Sequence, residues 1–144
     1  MKMKGTGWII HGFALLHVAV NVLCTYSGIP DSMFLTALTM AMAVVICYRE
    51  NLTVEITVMA LILVNTLGFI LGNIGAQILP AQWEPVWQHA NATFAVTEIL
   101  GWGLDLFART YRIPTGRHTE WKENIGWLVF AVIAVFALRA FPRR

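Results

Sequence analysis

Three residues capable of acid–base or hydrogen-bonding chemistry each lie near the centre of a long apolar run: Glu98, His17 and Asn65. A carboxyl group, an imidazole and an amide can together hold a proton, a cation or a polar part of a ligand. In a membrane-spanning helix each of them needs a partner, because an unsatisfied polar group in hydrocarbon costs several kcal/mol. We therefore predict one ligand- or proton-binding cluster of the three side chains in the interior of a helical bundle. The alternative is that they only hold helices together.

A second polar layer is expected at the level of the start of the first run and the end of the fourth run. His11 and Asp105 are each about one turn from the end of their runs, and Arg109 follows Asp105 at the helical pairing distance. Asn91, Glu98, Asp105 and Arg112 recur every seven residues, so they form one polar stripe along a helix. A polar stripe on a spanning helix faces protein or water, so this stripe should face the interior. One face of the first run is also polar, and we expect the two faces to meet; that face carries His17, Asn21, Cys24 and Thr25.

Composition indicates where these residues must function. Hydrophobic residues make up 58% of the 144 residues and charged residues 12%, about half the charged share of a soluble domain. The net charge of +2 is small and lies mainly in the connections, which argues against nucleic-acid binding. The length suits one domain. The chain is therefore predicted to be an all-α integral membrane protein in the lipid bilayer.

Five apolar runs approach the roughly 20 residues that cross a bilayer. We predict a single polytopic transmembrane helical bundle over residues 1–144, with spans at about 7–27, 33–48, 53–79, 88–108 and 125–141. With five spans, seven of the ten lysines and arginines lie on the side of the N-terminus, which is then cytoplasmic. If the run at 88–108 does not cross, the bundle has four spans and a cytoplasmic C-terminus.

Small residues indicate where helices approach each other. Gly68, Gly72 and Gly75 form a small-residue face on the third run, which predicts close helix packing within the chain or between copies. Cys24 and Cys47 fall on opposite sides of the membrane in the five-span topology, so no disulfide is expected between them.

Catalytic and metal-binding motifs are missing from the sequence. It contains no phosphate-binding Walker A loop, no G-x-S-x-G and no H-E-x-x-H. His11 and His17 are about 120° apart around a helix, so they cannot clamp one metal. We expect no enzyme activity, no metal site and no cofactor.

Two short stretches resemble segments of known proteins. Residues 97–102, TEILGW, and residues 124–130, NIGWLVF, are similar to parts of the membrane-spanning N-terminal module of LytS-like bacterial sensor histidine kinases. The chain carries no kinase domain. The resemblance implies a detached sensory module, or a four-span protein with its C-terminus inside.

Two functions are compatible with these features. The first is a sensory or interaction module in the bacterial cytoplasmic membrane, reading a ligand or a partner membrane or signalling protein through its polar midplane site. The alternative is a small proton- or cation-coupled transporter or channel subunit, which would work as a homo-oligomer because five short spans enclose little volume.

Overall fold

The computed structural model describes residues 4–78, 84–111 and 119–140. In these ranges the chain is all-α, as predicted, and contains five helices without a strand. The helices are α1 Lys4–Ser27, α2 Ser32–Arg49, α3 Val54–Ile78, α4 Pro85–Thr110 and α5 Thr119–Ala140.

The connections explain where the first helices end. After α1, Gly28 has a φ of 67°, which suits glycine, and the Ile29 N–H donates to the carbonyl of Cys24 at 3.0 Å. After α2, Asn51 has a φ of 56° and starts a tight turn into α3. The Thr53 hydroxyl then accepts the Ile56 N–H at 3.4 Å near the start of α3.

Consecutive helices run antiparallel in one bundle. The start of α1 lies beside the end of α4, because His11 bonds Glu98 and Gly7 lies beside Trp102. The start of α5 lies at the α2–α3 turn, where Trp121 Nε1 donates to the Leu52 carbonyl at 2.9 Å.

The bundle therefore has two ends. The Arg49 end contains the start of α1, the α2–α3 turn, the end of α4 and the start of α5. The Pro30 end contains the α1–α2 turn, the end of α3 and the start of α4. The half towards the Arg49 end is a closely packed apolar core, in which Ile10, Met42, Ile46 and Leu61 are fully buried.

Apolar surface faces outward along the helices. Leu15, Ile62 and Ile133 are more than half exposed. Four helices in the described ranges are long and apolar enough to cross a membrane, at Gly5–Ser27, Ser32–Arg49, Val54–Gly75 and Trp121–Leu138. The chain is thus compatible with a multi-pass membrane protein.

Helix α4 differs from the other four. It is 26 residues long, yet it does not reach the apolarity of a spanning helix, so composition alone does not confirm the predicted fifth span. The reason is its polar content: Glu98, Asp105, Asn91 and two threonines interrupt the apolar residues. It nevertheless packs against α1, α2 and α3.

Candidate functional site

A polar cavity of about 320 Å³ lies between α1, α2, α3 and α4 in the half of the bundle towards the Pro30 end. Along α4 it extends from Leu100 to His89, roughly 16 Å at the helical rise. The polar residues of its wall are His17, Asn21, Asp31, Ser32, Thr36, Thr39, Asn65, Asn73, His89, Thr93 and Thr97.

His17 lies at the inner end of the cavity and is 2% exposed. Its Nδ1 donates to the Phe13 carbonyl at 2.7 Å, and its Nε2 is 3.0 Å from Thr39 Oγ1. The same hydroxyl lies 2.8 Å from the Leu35 carbonyl. A hydroxyl has one proton. Neutral His17 therefore competes with Leu35 for the Thr39 proton, whereas doubly protonated His17 donates to Thr39 and leaves that proton with Leu35.

Asn21 and Asp31 join α1 to the start of α2 closer to the mouth. Asn21 Nδ2 donates to Asp31 Oδ2 at 2.5 Å. Asn21 is 4% exposed, and its Oδ1 has no hydrogen-bond partner among the described residues. A buried acceptor without a donor costs about 1–3 kcal/mol. This oxygen has almost no accessible surface, so a ligand in the cavity reaches it only if the Asn21 side chain moves.

The threonines add further acceptor capacity. Thr36 and Thr97 donate their hydroxyl protons to the carbonyls of Ser32 and Thr93, at 2.7 and 2.8 Å. A hydroxyl oxygen that has donated its proton can still accept. No lysine or arginine lines the cavity as described, and Asp31 contributes a carboxyl group. The wall is thus rich in acceptors and suits a ligand that brings donors.

Asn65 also lies at the inner part of the cavity, so the structure brings it and His17 to one site as the sequence predicted. Its Nδ2 donates to the Leu61 carbonyl at 2.8 Å. The helix-packing alternative does not account for that bond or for the one between His17 and Phe13, because both lie within a helix. It does account for the bond between His17 and Thr39, which joins α1 to α2.

Glu98 is not part of this site, so the predicted three-residue cluster is wrong in that respect. Its Oε1 accepts from His11 Nδ1 at 2.6 Å, and its Oε2 accepts from Trp102 Nε1 at 3.0 Å. Neighbouring helical residues point about 100° apart, so Thr97 faces the cavity and Glu98 faces outward along α1. The partner of Glu98 is the half-exposed His11. Asp105, expected in the same polar layer as His11, does not bond His11.

Asp105 and Asn91 also lie outside the cavity. Asp105 Oδ2 accepts from Arg109 at 2.5 Å, which confirms the predicted pair. However, Asp105 is only 3% exposed, and its Oδ1 has no partner in the described ranges. The carboxylate is therefore buried rather than at the interface. Asn91 is exposed and bonds the Trp87 carbonyl at 2.7 Å.

The glycine face of α3 packs against α4. A Cβ at Gly68 would lie 3.1 Å from Leu100, and one at Gly75 would lie 3.6 Å from Ala92, which confirms close packing within the chain. Gly72 has open space beside it and lines the cavity. This glycine leaves volume for a ligand.

Sequence reasoning missed most of the cavity wall. The available signal was the spacing of four residues that places His89, Thr93 and Thr97 on one face of α4. On α1, the sequence placed Asn21 on the face of His17, and the structure has both in the wall. Thr93 and Thr97 of α4 were overlooked because a hydroxyl that bonds its own helix is common in apolar helices and carries no charge.

The described residues contain no group of three histidine, cysteine, aspartate or glutamate side chains that could hold a metal ion. Comparison with protein families, curated proteins and solved structures finds no match to this chain.

Proposed function

We propose that this chain is a membrane-embedded sensory or interaction module that binds a small, donor-rich polar ligand in the cavity between α1 and α4. The observation that carries the proposal is a cavity whose wall contains the buried polar side chains of His17, Asn21 and Asn65 and, in the described ranges, no lysine or arginine. His17 and Asn65 form the inner end of the site, and Asp31 lies nearer its mouth.

The apolar core beneath the cavity supports binding rather than conduction. Ile10, Ile46 and Leu61 are fully buried between the inner end of the cavity and the Arg49 end. A ligand that enters the cavity as described meets packed side chains halfway through the bundle. A site closed at one end suits a module that detects its ligand and passes the effect to a partner.

We also propose that α4 is the fifth span. It runs between α1 and α3 in the antiparallel order of the other helices, and two of its polar side chains, Thr97 and Asp105, are buried and bonded within the protein. These two side chains do not meet lipid. Arg49, Arg109 and Lys122 lie at the Arg49 end, which makes that end cytoplasmic by the positive-inside rule. The cavity then lies in the half of the bundle towards the outside of the cell, and a bacterial cytoplasmic membrane suits this topology.

Cysteine labelling tests whether the cavity is accessible to water and from which side of the membrane it is reached. In a background carrying Cys24→Ala and Cys47→Ala, Thr93→Cys should react with a membrane-impermeant methanethiosulfonate added outside, because it lines the cavity. Phe94→Cys, next in sequence but facing outward, should react at least ten-fold more slowly. Equal rates, or reaction of Thr93→Cys only from the inside, would contradict the proposal.

A transporter subunit is the second candidate. A polar cavity that reaches mid-bundle from one end is also what one conformation of an alternating-access carrier contains. Uptake of radiolabelled urea and glycerol into proteoliposomes separates the two functions, because both solutes are rich in donors. Uptake that Gly72→Leu abolishes supports a carrier, whereas a hydrated cavity without uptake supports the binding module.

A further inference from the structure

A second concave surface lies beside the polar cavity, on the outward side of α3 and α5. It encloses about 440 Å³, and its wall is almost wholly apolar. Ile62 on α3 and Trp127, Ala131, Ala134 and Leu138 on α5 contribute to it. We call this surface the α3–α5 groove. On a spanning bundle it faces the hydrocarbon of the bilayer.

The groove and the polar cavity share two residues, Asn65 and Phe69. These lie one helical turn apart on the same face of α3, so they form a common wall. From that wall the polar cavity continues towards the Pro30 end, past Gly72 and Asn73. The groove continues in the opposite direction, past Ile62 and Val58. The polar cavity and the groove thus adjoin each other along one face of α3.

We propose that the ligand is a membrane amphiphile, with its polar head in the cavity and its hydrocarbon chain in the α3–α5 groove. This inference rests on the proposed binding function and names the class of ligand. A bilayer lipid reaches the groove by lateral diffusion, and its chain stays in an apolar environment when it binds. Its head crosses the wall at Asn65 and Phe69 into a site lined with acceptors.

The charges around the cavity select the head group. No lysine or arginine lines the described cavity, and the Asp31 carboxyl group near its mouth opposes an anion. A phosphate head would find no lysine or arginine partner in the described wall. A head that carries hydroxyl groups, such as glycerol or a sugar, can donate to the hydroxyl oxygens of Thr36 and Thr97, which have already donated their own protons. One groove accommodates one chain, so the class is a neutral single-chain lipid.

A photoactivatable monoacylglycerol, with a diazirine in its acyl chain, tests the inference in phosphatidylcholine nanodiscs. Labelling of the peptide with Ala131 and Ala134 should saturate, and unlabelled monoacylglycerol should compete for it. Lysophosphatidate, which has a phosphate head, should compete at least ten-fold more weakly, and free glycerol should not compete. Competition by lysophosphatidate equal to that of monoacylglycerol would overturn the assignment of the head.

Two filling variants test whether head and chain bind together. Gly72→Leu fills the cavity and Ala134→Trp fills the groove, so each should lower saturable labelling at least ten-fold. Gly12→Leu and Ile133→Trp place the same side chains on the outward surface and should leave the saturable labelling unchanged.

The remaining outcomes separate this inference from the proposed function. Labelling that is not saturable, or that is unchanged in Gly72→Leu, would overturn the amphiphile. Competition by free glycerol equal to that of monoacylglycerol would indicate a water-soluble ligand, which overturns the amphiphile and leaves the binding function intact. A cavity in which Thr93→Cys does not react would instead contradict the binding function itself.

Discussion

A difference of one position on α4 determines which side chain reaches the cavity. Thr97 lines it, whereas Glu98 bonds His11 and Trp102 on the outward face. The sequence shows two polar lines on this helix, one through residues 89, 93 and 97 and one through 91, 98 and 105. Charge favoured the second line as the interior one. Which line faces inward depends on packing against α1 and α3, and the pattern of α4 alone does not contain that information.

Glu98→Leu should therefore leave the cavity unchanged. We expect the labelling rate of Thr93→Cys from the outside to stay within about two-fold, because Glu98 has no contact with the cavity wall. Gly72→Leu should lower the rate by at least ten-fold, since it fills the space beside Thr93. The measurement is the rate of thiol modification in each double variant. A large decrease with Glu98→Leu would mean that the acid belongs to the site.

Trp121→Phe should destabilise the bundle by about 1–3 kcal/mol, because it leaves the Leu52 carbonyl without its buried donor. The phenyl ring keeps most of the packing against Tyr48. Trp127→Phe, on the same helix but 68% exposed, is the matched control and should change stability little. Unfolding in mixed micelles measures both variants, and equal effects would contradict a structural role for the bond.

At the scale of elements, apolar runs identify helices better than they locate helix ends. The apolar runs correctly indicated the five helices of the described ranges. Helix α5, expected from residue 125, begins at Thr119. Residues 119–124 are mostly polar. An apolar pattern identifies the part of a helix that lies in hydrocarbon and misses the polar turns beyond that part. The polar faces of the first and fourth runs predicted that α1 and α4 meet, and the structure confirms this pairing. The pairing of α3 with α5 left no such signal, because the faces of α5 are equally apolar.

The contact between α1 and α4 depends on one glycine. A Cβ at Gly101 would lie 2.6 Å from the fully buried Ile10, so Gly101→Ala should destabilise the protein by about 1–3 kcal/mol through overpacking. Gly103, two residues later, has open space around it, and Gly103→Ala should be neutral or stabilising by up to about 1 kcal/mol. Thermal unfolding of the two variants compares them. A destabilising Gly103→Ala would argue against this packing.

At the scale of the whole molecule, the proposed five-span topology places the two chain ends on opposite faces of the membrane. We expect an alkaline phosphatase fusion after residue 144 to be active and a fusion after Asn51 to be inactive. The physical reason is the antiparallel order of α1 to α5, with Arg49, Arg109 and Lys122 at the inner end. Enzyme activity of fusions with equal expression measures this. An inactive C-terminal fusion would favour four spans and the sensor-kinase resemblance.

The pairing of α1 with α4 also has a consequence for biosynthesis. On the five-span topology, α1 enters the membrane first, and its bonding partner Glu98 is synthesised 87 residues after His11. Because α4 is too polar to count as a spanning helix on its own, its insertion should require that α1 is already in the membrane. The order of translation then determines the order in which the helices assemble. A nascent chain that stops after α3 keeps His11 facing lipid, and pulse–chase labelling should find it degraded faster than the full chain by membrane quality-control proteases.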